Sequence, residues 1–149
     1  MDWLRVIVVS ALPISELRGG IPLALYLGFN PIEAYTISVI GNILPVPFLL
    51  MFLGLIEKIA LKTPLSSLYL KIVRRTERRR DVIDRYSYLG LTLFVAIPLP
   101  VTGAWTGCLL AFLLGLDKLK SFFYITLGVT IAGIIVLTTS LGVLVCFNS

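Results

Sequence analysis

The 149-residue chain resembles itself at an offset of 87 positions. A segment that begins Pro13-Ile-Ser is echoed by a segment that begins Pro100-Val-Thr, and each interrupts an apolar stretch that precedes a longer, unbroken one. The residues that recur are Pro13, Ser15, Gly20, Ala24, Leu27, Gly28, Asn30 and Gly41 in the first half, and Pro100, Thr102, Gly107, Ala111, Leu114, Gly115, Asp117 and Gly128 in the second. Two copies of a broken segment followed by a full one are typical of transporter folds, which place their binding site at the breaks.

The composition indicates an integral membrane protein. Hydrophobic residues make up 58% of the chain and charged residues only 14%, too few polar groups to cover a soluble domain of this length. The two cysteines lie in apolar segments without metal-ligand spacing, and the chain has no histidine. The sequence also offers no nucleophile with a base at a useful spacing. We therefore expect no metal site, no cofactor and no enzymatic activity.

Two stretches are long enough to cross a bilayer as helices, which requires about 20 apolar residues. The first covers 31–55 and follows Asn30, a favourable capping residue, and the second covers 119–147. Because proline lacks a backbone donor, we expect Pro45 and Pro47 to kink the first of these helices.

Two further stretches, 3–27 and 88–114, are apolar but broken in the middle. The first carries two prolines, two adjacent glycines and two charges within ten residues, and the second is broken at 98–103. Such irregular backbone is tolerated at membrane depth only where protein or water surrounds it. We expect each stretch to form two half-helices, the first pair meeting at a turn near 15–20, so that each stretch is a re-entrant hairpin.

The segment 57–87 is strongly basic, with nine cations and with apolar residues at helical spacing opposite them. This pattern predicts an amphipathic helix on the membrane surface, and a solvated loop that only sets the topology is the alternative. We do not expect nucleic-acid binding, because lipid phosphate is already the neighbouring partner. The residues expected to contact anionic headgroups are Arg74, Arg75, Arg78, Arg79 and Arg80.

These segments predict an all-α integral membrane protein with a single domain, made of repeat one (3–56), a basic linker helix (57–87) and repeat two (88–147). Each repeat is a re-entrant helical hairpin followed by a full transmembrane helix. Hairpins that return to their own side invert the two repeats and place 57–87 in the cytoplasm, which the distribution of positive charges favours. Four full crossings are the alternative. We expect a multi-pass protein of the cell membrane, and a homodimer that covers polar backbone otherwise exposed to lipid.

Glu16 and Arg18 are the most informative charged residues. An ionised side chain at the bilayer centre costs about 2.5–3.5 kcal/mol on insertion scales, so it is rare without a partner or a task. One interpretation makes Glu16 a carboxylate coupled to protons or ions, and Arg18 the group that binds an anionic headgroup. The alternative is a buried ion pair that holds the first break against the second.

Thr102, Trp105 and Thr106 lie at the second break. Their functional interpretation is that the hydroxyls bind the substrate or Glu16, while the Trp105 ring forms a wall or a cation–π face. In the alternative, the threonines cap a half-helix and Trp105 packs; this alternative is favoured for Thr106.

Backbone amides at the breaks are a further candidate site. We expect half-helices to begin at Gly19-Gly20 and at Gly103-Ala104, with free N–H groups that suit a phosphate or a carboxylate. Asn42 lies in the middle of the first full span, where it lines a water path or, the favoured role, joins helices.

The two breaks also carry a family resemblance. The strings Pro13-Ile-Ser-Glu-Leu-Arg-Gly-Gly-Ile-Pro22 and Pro98-Leu-Pro-Val-Thr-Gly-Ala-Trp-Thr-Gly107 resemble the signatures of the small multi-drug export protein family. That family looks like a branch of the DedA, or SNARE-associated Golgi protein, superfamily. This resemblance implies two inverted repeats and movement of lipids between leaflets, including polyprenyl phosphate carriers and phospholipids, often linked to the proton-motive force. DedA proteins commonly carry a second arginine in the second hairpin, and 101–105 has none here.

The sequence therefore leaves three functions open. The first is a small secondary transporter or lipid translocase, in which Arg18 binds an anionic lipid or solute and Glu16 couples its release to protonation. The second is a small cationic multidrug/proton antiporter, in which Glu16 binds the cation. The third is a non-transporting scaffold or assembly factor that uses the basic segment 57–87.

Overall fold

The computed structural model describes residues 1–60, 80–99 and 102–148. Every regular element in these ranges is a helix, so the prediction of an all-helical chain is confirmed there. The helices are α1 (Asp2–Ala11), α2 (Glu16–Tyr26), α3 (Pro31–Ile43), α4 (Pro45–Ala60), α5 (Arg80–Ala96), α6 (Ala104–Leu113) and α7 (Lys118–Asn148).

Helices α3 and α7 begin at capping residues. The Asn30 side chain accepts a hydrogen bond from the Glu33 amide (2.9 Å), and the Glu33 carboxylate accepts one from the Asn30 amide (3.2 Å), which completes a capping box. At α7, Asp117 accepts a hydrogen bond from the Lys120 amide (3.0 Å). Both side chains satisfy amides that a helix N-terminus leaves without an internal partner.

Helices α2 and α6 end in the same way, at glycines with left-handed backbone. Gly28 has φ 88° and Gly115 has φ 64°, a conformation that only glycine adopts without strain. The amide that follows each glycine donates to the carbonyl five residues earlier, at 3.1 and 3.0 Å. These bonds turn the chain sharply towards the capping residue of the next helix.

Two apolar stretches, Pro31–Leu55 and Lys118–Cys146, are long enough to cross a membrane, as predicted. The first comprises α3 and most of α4, and the helix is interrupted at Leu44, directly before Pro45. Large apolar side chains on the outer faces of both stretches are exposed, among them Phe48 and Phe52. Lipid is the solvent that suits such a surface.

The helices pack into two groups that share one core. Helix α1 packs against α2 and α3, and α5 packs against α6 and α7. The groups join because α2 and α3 contact α7 while α4 contacts α6. The core at this junction contains Leu17, Ile21, Val39, Val46, Leu91, Val95, Cys108, Ile125 and Val129.

The predicted basic linker helix coincides with the described residues only at its ends. Helix α4 continues to Ala60, and α5 begins at Arg80, eight residues before the predicted start of repeat two. The other residues expected at lipid headgroups, Arg74, Arg75, Arg78 and Arg79, lie outside the described residues.

Candidate functional site

The first break is a short connection, 12–15, between α1 and α2. The carbonyls at the end of α1 lack partners within the helix, and two side chains supply them. The Ser15 hydroxyl donates to the Val9 carbonyl (2.9 Å), and the Trp105 indole N–H donates to the Ala11 carbonyl (3.0 Å). Because Trp105 belongs to α6, this second bond fixes the first break against the second half of the chain.

Glu16 is the first residue of α2 and has an unusual backbone conformation. Its φ of 45° lies in the left-handed region, where a residue other than glycine costs about 1–3 kcal/mol. Its side chain is only 7% exposed. Strained backbone is commonly found at functional sites, where the surrounding structure holds it in place.

The Glu16 carboxylate lies at the N-terminus of α6. The amide of Trp105 donates to Glu16 Oε1 at 3.5 Å, and the amide of Ala104 also contacts the carboxylate. A β-carbon added to Gly103 would collide with the carboxylate. The backbone at Gly103 is extended (φ 170°), so glycine is needed here for space and not for its conformational freedom.

At the second break, the described residues 97–99 and 102–103 are joined by hydrogen bonds from threonine side chains. The Thr102 hydroxyl donates to the Ile97 carbonyl and accepts a hydrogen bond from the Leu99 amide (3.0 Å). The Thr106 hydroxyl donates to the Gly103 carbonyl (3.3 Å). Both threonine hydroxyls are therefore bonded within the turn, but neither caps α6, whose N-terminus receives no hydrogen bond from a capping side chain.

The two breaks border a small, partly open cavity of about 10 Å³, enough for about one water molecule. Its polar lining consists of Glu16, Arg18, Asn42, Thr102 and the backbone at Gly103. The apolar lining is formed by Leu17, Val95, Pro98, Val129, Ala132 and Val136.

Asn42 and Arg18 contribute to this cavity in different ways. Asn42 is 1% exposed, and its Oδ1 atom has no hydrogen-bond partner. A buried acceptor without a donor is unfavourable by about 1–3 kcal/mol. The half-buried Arg18 contributes positive potential at Glu16, but its guanidinium is more than 4.0 Å from the carboxylate, so these two described residues form no direct ion pair.

The structure brings together most of the predicted site residues. Glu16, Arg18, Asn42, Thr102 and Gly103 line one cavity. Trp105 reaches the site through its amide, while its indole lines an apolar groove of about 660 Å³ along α4. The groove is formed by Pro45, Phe48, Leu49, Met51, Phe52, Leu55 and Trp105.

The prediction that a half-helix begins at Gly19-Gly20 is wrong, because α2 begins three residues earlier, at Glu16. Gly19 packs against Ser15 and Val9, and neither Gly19 nor Gly20 lines the cavity. Both glycines serve close packing of α2 and donate no free N–H group to the site.

Sequence analysis also missed a pair of buried hydroxyls. Ser10 on α1 and Ser38 on α3 are fully buried, and their Oγ atoms have no hydrogen-bond partner. A β-carbon added to Gly20 would meet both. The sequence contains a weak indication of this contact, since Gly20, Ser38 and Gly41 are small residues on helices that pack against α1.

The sequence predicts free backbone N–H groups at the start of α6. In the structure, the Glu16 carboxylate lies at this helix N-terminus and accepts a hydrogen bond from the Trp105 amide. The cavity thus combines one carboxylate, one nearby guanidinium, a helix N-terminus and an unpartnered amide oxygen. Such a set can bind a proton or a single charged group.

A comparison with protein families matches residues 16–135 to a family described as "Putative small multi-drug export protein". The matched range covers most of the chain and includes both breaks. No curated protein and no solved structure matches the chain. The family's description names export and no catalytic activity.

Proposed function

Because the chain belongs to the small multi-drug export protein family, we propose that it is a small secondary transporter whose site is the cavity between the two breaks. The observation that carries this proposal is that the buried Glu16 and the half-buried Arg18 line one small cavity, where backbone breaks from both halves of the chain meet. Charged groups at such depth are unfavourable unless they have a task.

The proposal includes two repeats, which the helix boundaries support. An offset of 87 relates Pro31 at the start of α3 to Lys118 at the start of α7, and Gly28 to Gly115. It also relates the capping residues Asn30 and Asp117. Sequence-equivalent residues thus end one helix and begin the next in both halves.

We propose further that α1–α2 and α5–α6 are re-entrant hairpins. Helices α1, α2 and α6 have ten or eleven residues, as does Tyr86–Ala96, the apolar part of the 17-residue α5. A helix of this length is about 15 Å long, half the thickness of the hydrocarbon core. Val6 packs with Ala24 across the first break, and Gly107 lies against Val95 across the second. Contacts between residues on opposite sides of a break are those of two antiparallel half-helices.

For the substrate, we propose an anionic lipid or a small anionic solute. Arg18 attracts negative charge to the cavity, and the N-terminus of α6 does so when protonation neutralises the Glu16 carboxylate that occupies it. Glu16 is therefore the group that couples binding to protonation. The cavity holds about one water molecule, so we propose that the structure corresponds to an occluded state that must open to bind substrate.

A cation/proton antiporter is the second candidate, and one observation favours it. Glu16 already neutralises the N-terminus of α6, and Asn42 Oδ1 offers a free acceptor, so the cavity presents a carboxylate and a carbonyl oxygen to a cation. In this case the proton and the cation compete for Glu16.

The cellular setting of the proposal is a multi-pass protein of the cell membrane with 57–87 in the cytoplasm. We propose a homodimer that contacts through the apolar groove along α4, because this groove is exposed and borders Trp105. The basic segment would then bind anionic headgroups next to the dimer.

Leaflet exchange of fluorescent phosphatidic acid in proteoliposomes tests the function. We expect exchange with the wild type and a loss of about tenfold or more in Glu16→Gln and Arg18→Ala, since a hydrogen bond to a charged group contributes about 1.5–3 kcal/mol. Glu33→Gln and Arg5→Ala are matched controls, because they remove exposed charges far from the cavity, and they should retain exchange.

A parallel experiment measures whether a proton gradient drives the efflux of ethidium. If the protein exports ethidium but does not exchange phosphatidic acid between leaflets, the proposal of an anion transporter fails and the cation antiporter takes its place. If the folded wild type moves neither probe, the proposal of transport fails and the scaffold hypothesis takes its place.

A further inference from the structure

We propose that Glu16 alternates between two partners inside the cavity, the N-terminus of α6 when it is ionised and the Asn42 side chain when it is protonated. Protonation would then release the α6 amides to a substrate anion, so that anion binding and proton uptake are linked. This inference rests on the proposed transport function and specifies its substrate class and coupling.

The partner of the ionised form is visible in the structure. The carboxylate accepts from the amides of Trp105 and Ala104 and lies directly against Gly103. It occupies the position that an anion would take at the end of a helix of ten residues. The Glu16 side chain therefore fills the anion site itself, and a substrate anion can bind there only after the carboxylate has moved away.

The partner of the protonated form is Asn42. A protonated carboxyl group has one O–H to donate, and Asn42 Oδ1 is a buried acceptor on the same cavity without a donor. A hydrogen bond from Glu16, direct or through the single water that the cavity can hold, satisfies this acceptor. The unpartnered Asn42 oxygen is therefore explained as the acceptor that Glu16 uses when it is protonated.

Few other groups compete for this proton. On α2 the only charged neighbour is Arg18, and on α6 the titratable neighbour is the buried thiol of Cys108. The cavity walls from α5 and α7 are apolar, formed by Val95, Val129, Ala132 and Val136. Among the residues that the structure describes, Glu16 is thus the one carboxyl group that faces the site.

The geometry indicates the chemistry of the ligand. It must bring negative charge to the α6 amides and to Arg18, which an ionised phosphate group does. Such a group occurs both as free phosphate and as the headgroup of phosphatidic acid. Because anion and proton bind together, they move across the membrane in the same direction.

Infrared difference spectroscopy on protein in phosphatidylcholine vesicles tests the exchange of partners. At a pH where Glu16 is ionised, added inorganic phosphate should produce the C=O stretching band of a protonated carboxyl group. This band should be absent in Glu16→Gln and unchanged in Glu33→Gln. A second arm replaces free phosphate by phosphatidic acid in the vesicle and identifies which source the site prefers.

The role of Asn42 is tested by two nearly isosteric variants. Asn42→Val removes the acceptor and copies Val129, the residue at the equivalent position of the second half. It should move the carboxyl band to higher frequency, whereas Asn42→Thr, which restores an acceptor, should move it back. A band that is the same in all three proteins would overturn the role of Asn42.

The linkage is tested by affinity. Apparent binding of phosphate to the wild type should weaken by about tenfold per pH unit above the titration of Glu16, while binding to Glu16→Gln should not follow this slope. Equal pH dependence in both proteins, or no binding of either phosphate source, would overturn the inference. These readouts need no transport, so transport without the carboxyl band leaves the proposed function standing and removes the linkage.

Discussion

Glu16 and Gly103 depend on each other, although they are far apart in the sequence. The carboxylate of Glu16 fills the space where a side chain at 103 would lie, and the extended backbone of Gly103 would accept any residue. The size of residue 103 is therefore set by the buried carboxylate. Glycine at this position is explained by a contact across the site and not by local chain geometry.

Gly103→Ala should reduce the free energy of unfolding by about 1–3 kcal/mol, because the added methyl group overpacks against the carboxylate. The loss should be smaller in a Glu16→Ala background, where the obstacle is absent. Thermal unfolding in detergent of the four proteins of this double-mutant cycle measures the effect. Gly142→Ala is the control, since its added β-carbon meets open space. Equal losses in the two backgrounds would contradict the contact.

Gly20 makes a second close contact, with Ser10 and Ser38. Its added β-carbon would overlap the Ser10 hydroxyl and lie 3.1 Å from Ser38 Oγ. Gly20→Ala should cost about 1–3 kcal/mol of unfolding free energy, and Ser10→Ala should recover part of this loss. Ser10→Ala alone should be nearly neutral, because it removes a buried hydroxyl without a partner. If the effects of Gly20→Ala and Ser10→Ala on the unfolding free energy simply add in the double variant, this packing contact is contradicted.

At the scale of the helices, the two turns at Gly28 and Gly115 are the clearest common feature of the halves. Both glycines have left-handed backbone and no heavy atom near an added β-carbon, so only the backbone opposes substitution. Each glycine directs the chain from a short helix towards the cap of a long one.

Gly28→Ala and Gly115→Ala should each lower the unfolding free energy by about 1–2 kcal/mol, the cost of left-handed backbone for a residue with a β-carbon. Gly90→Ala, at a helical glycine with open space around it, should be neutral or slightly stabilising. Unfolding in detergent measures all three. If Gly28→Ala and Gly115→Ala differ strongly from each other, the two turns are not equivalent.

Local sequence patterns predicted the helices well where the causes are local. The cap at Asn30 and the composition of 31–55 and 119–147 located the long helices, and proline located the interruption before Pro45. The start of α2 was placed wrongly, because Pro13 and Gly19-Gly20 are both helix breakers and the sequence does not show which one acts. The structure shows that the glycines are required for packing, and that packing depends on residues from other helices.

The site itself was only partly predictable for a related reason. Charge and polarity identified Glu16, Arg18 and Asn42 without structure. The contact between Glu16 and Trp105 joins residues 89 positions apart, and no local pattern encodes it. The same holds for the unpartnered Asn42 oxygen, since only the arrangement of several helices determines which acceptors find a donor.

At the scale of the whole molecule, the proposal requires that this small cavity widens and opens in turn to each side of the membrane. Helices α2 and α6 meet at the cavity from different halves of the chain, and α7 lines it with small and branched apolar residues. In the proposed transport cycle, a relative movement of the two halves opens the cavity. This movement is the step that separates a transporter from a static scaffold.

Cysteine accessibility at Ala132 tests this claim most directly. Ala132 lines the cavity from α7, and Ala132→Cys is made together with Cys108→Ala and Cys146→Ser so that one thiol remains. Asp2→Cys in the same background reports orientation, and Ile131→Cys on the exposed, apolar face of α7 is the matched control. A membrane-impermeant maleimide should label Ala132→Cys from either side of sealed vesicles and leave Ile131→Cys unlabelled. Labelling of Ala132→Cys from one side only, or from neither side, would contradict alternating access to the cavity.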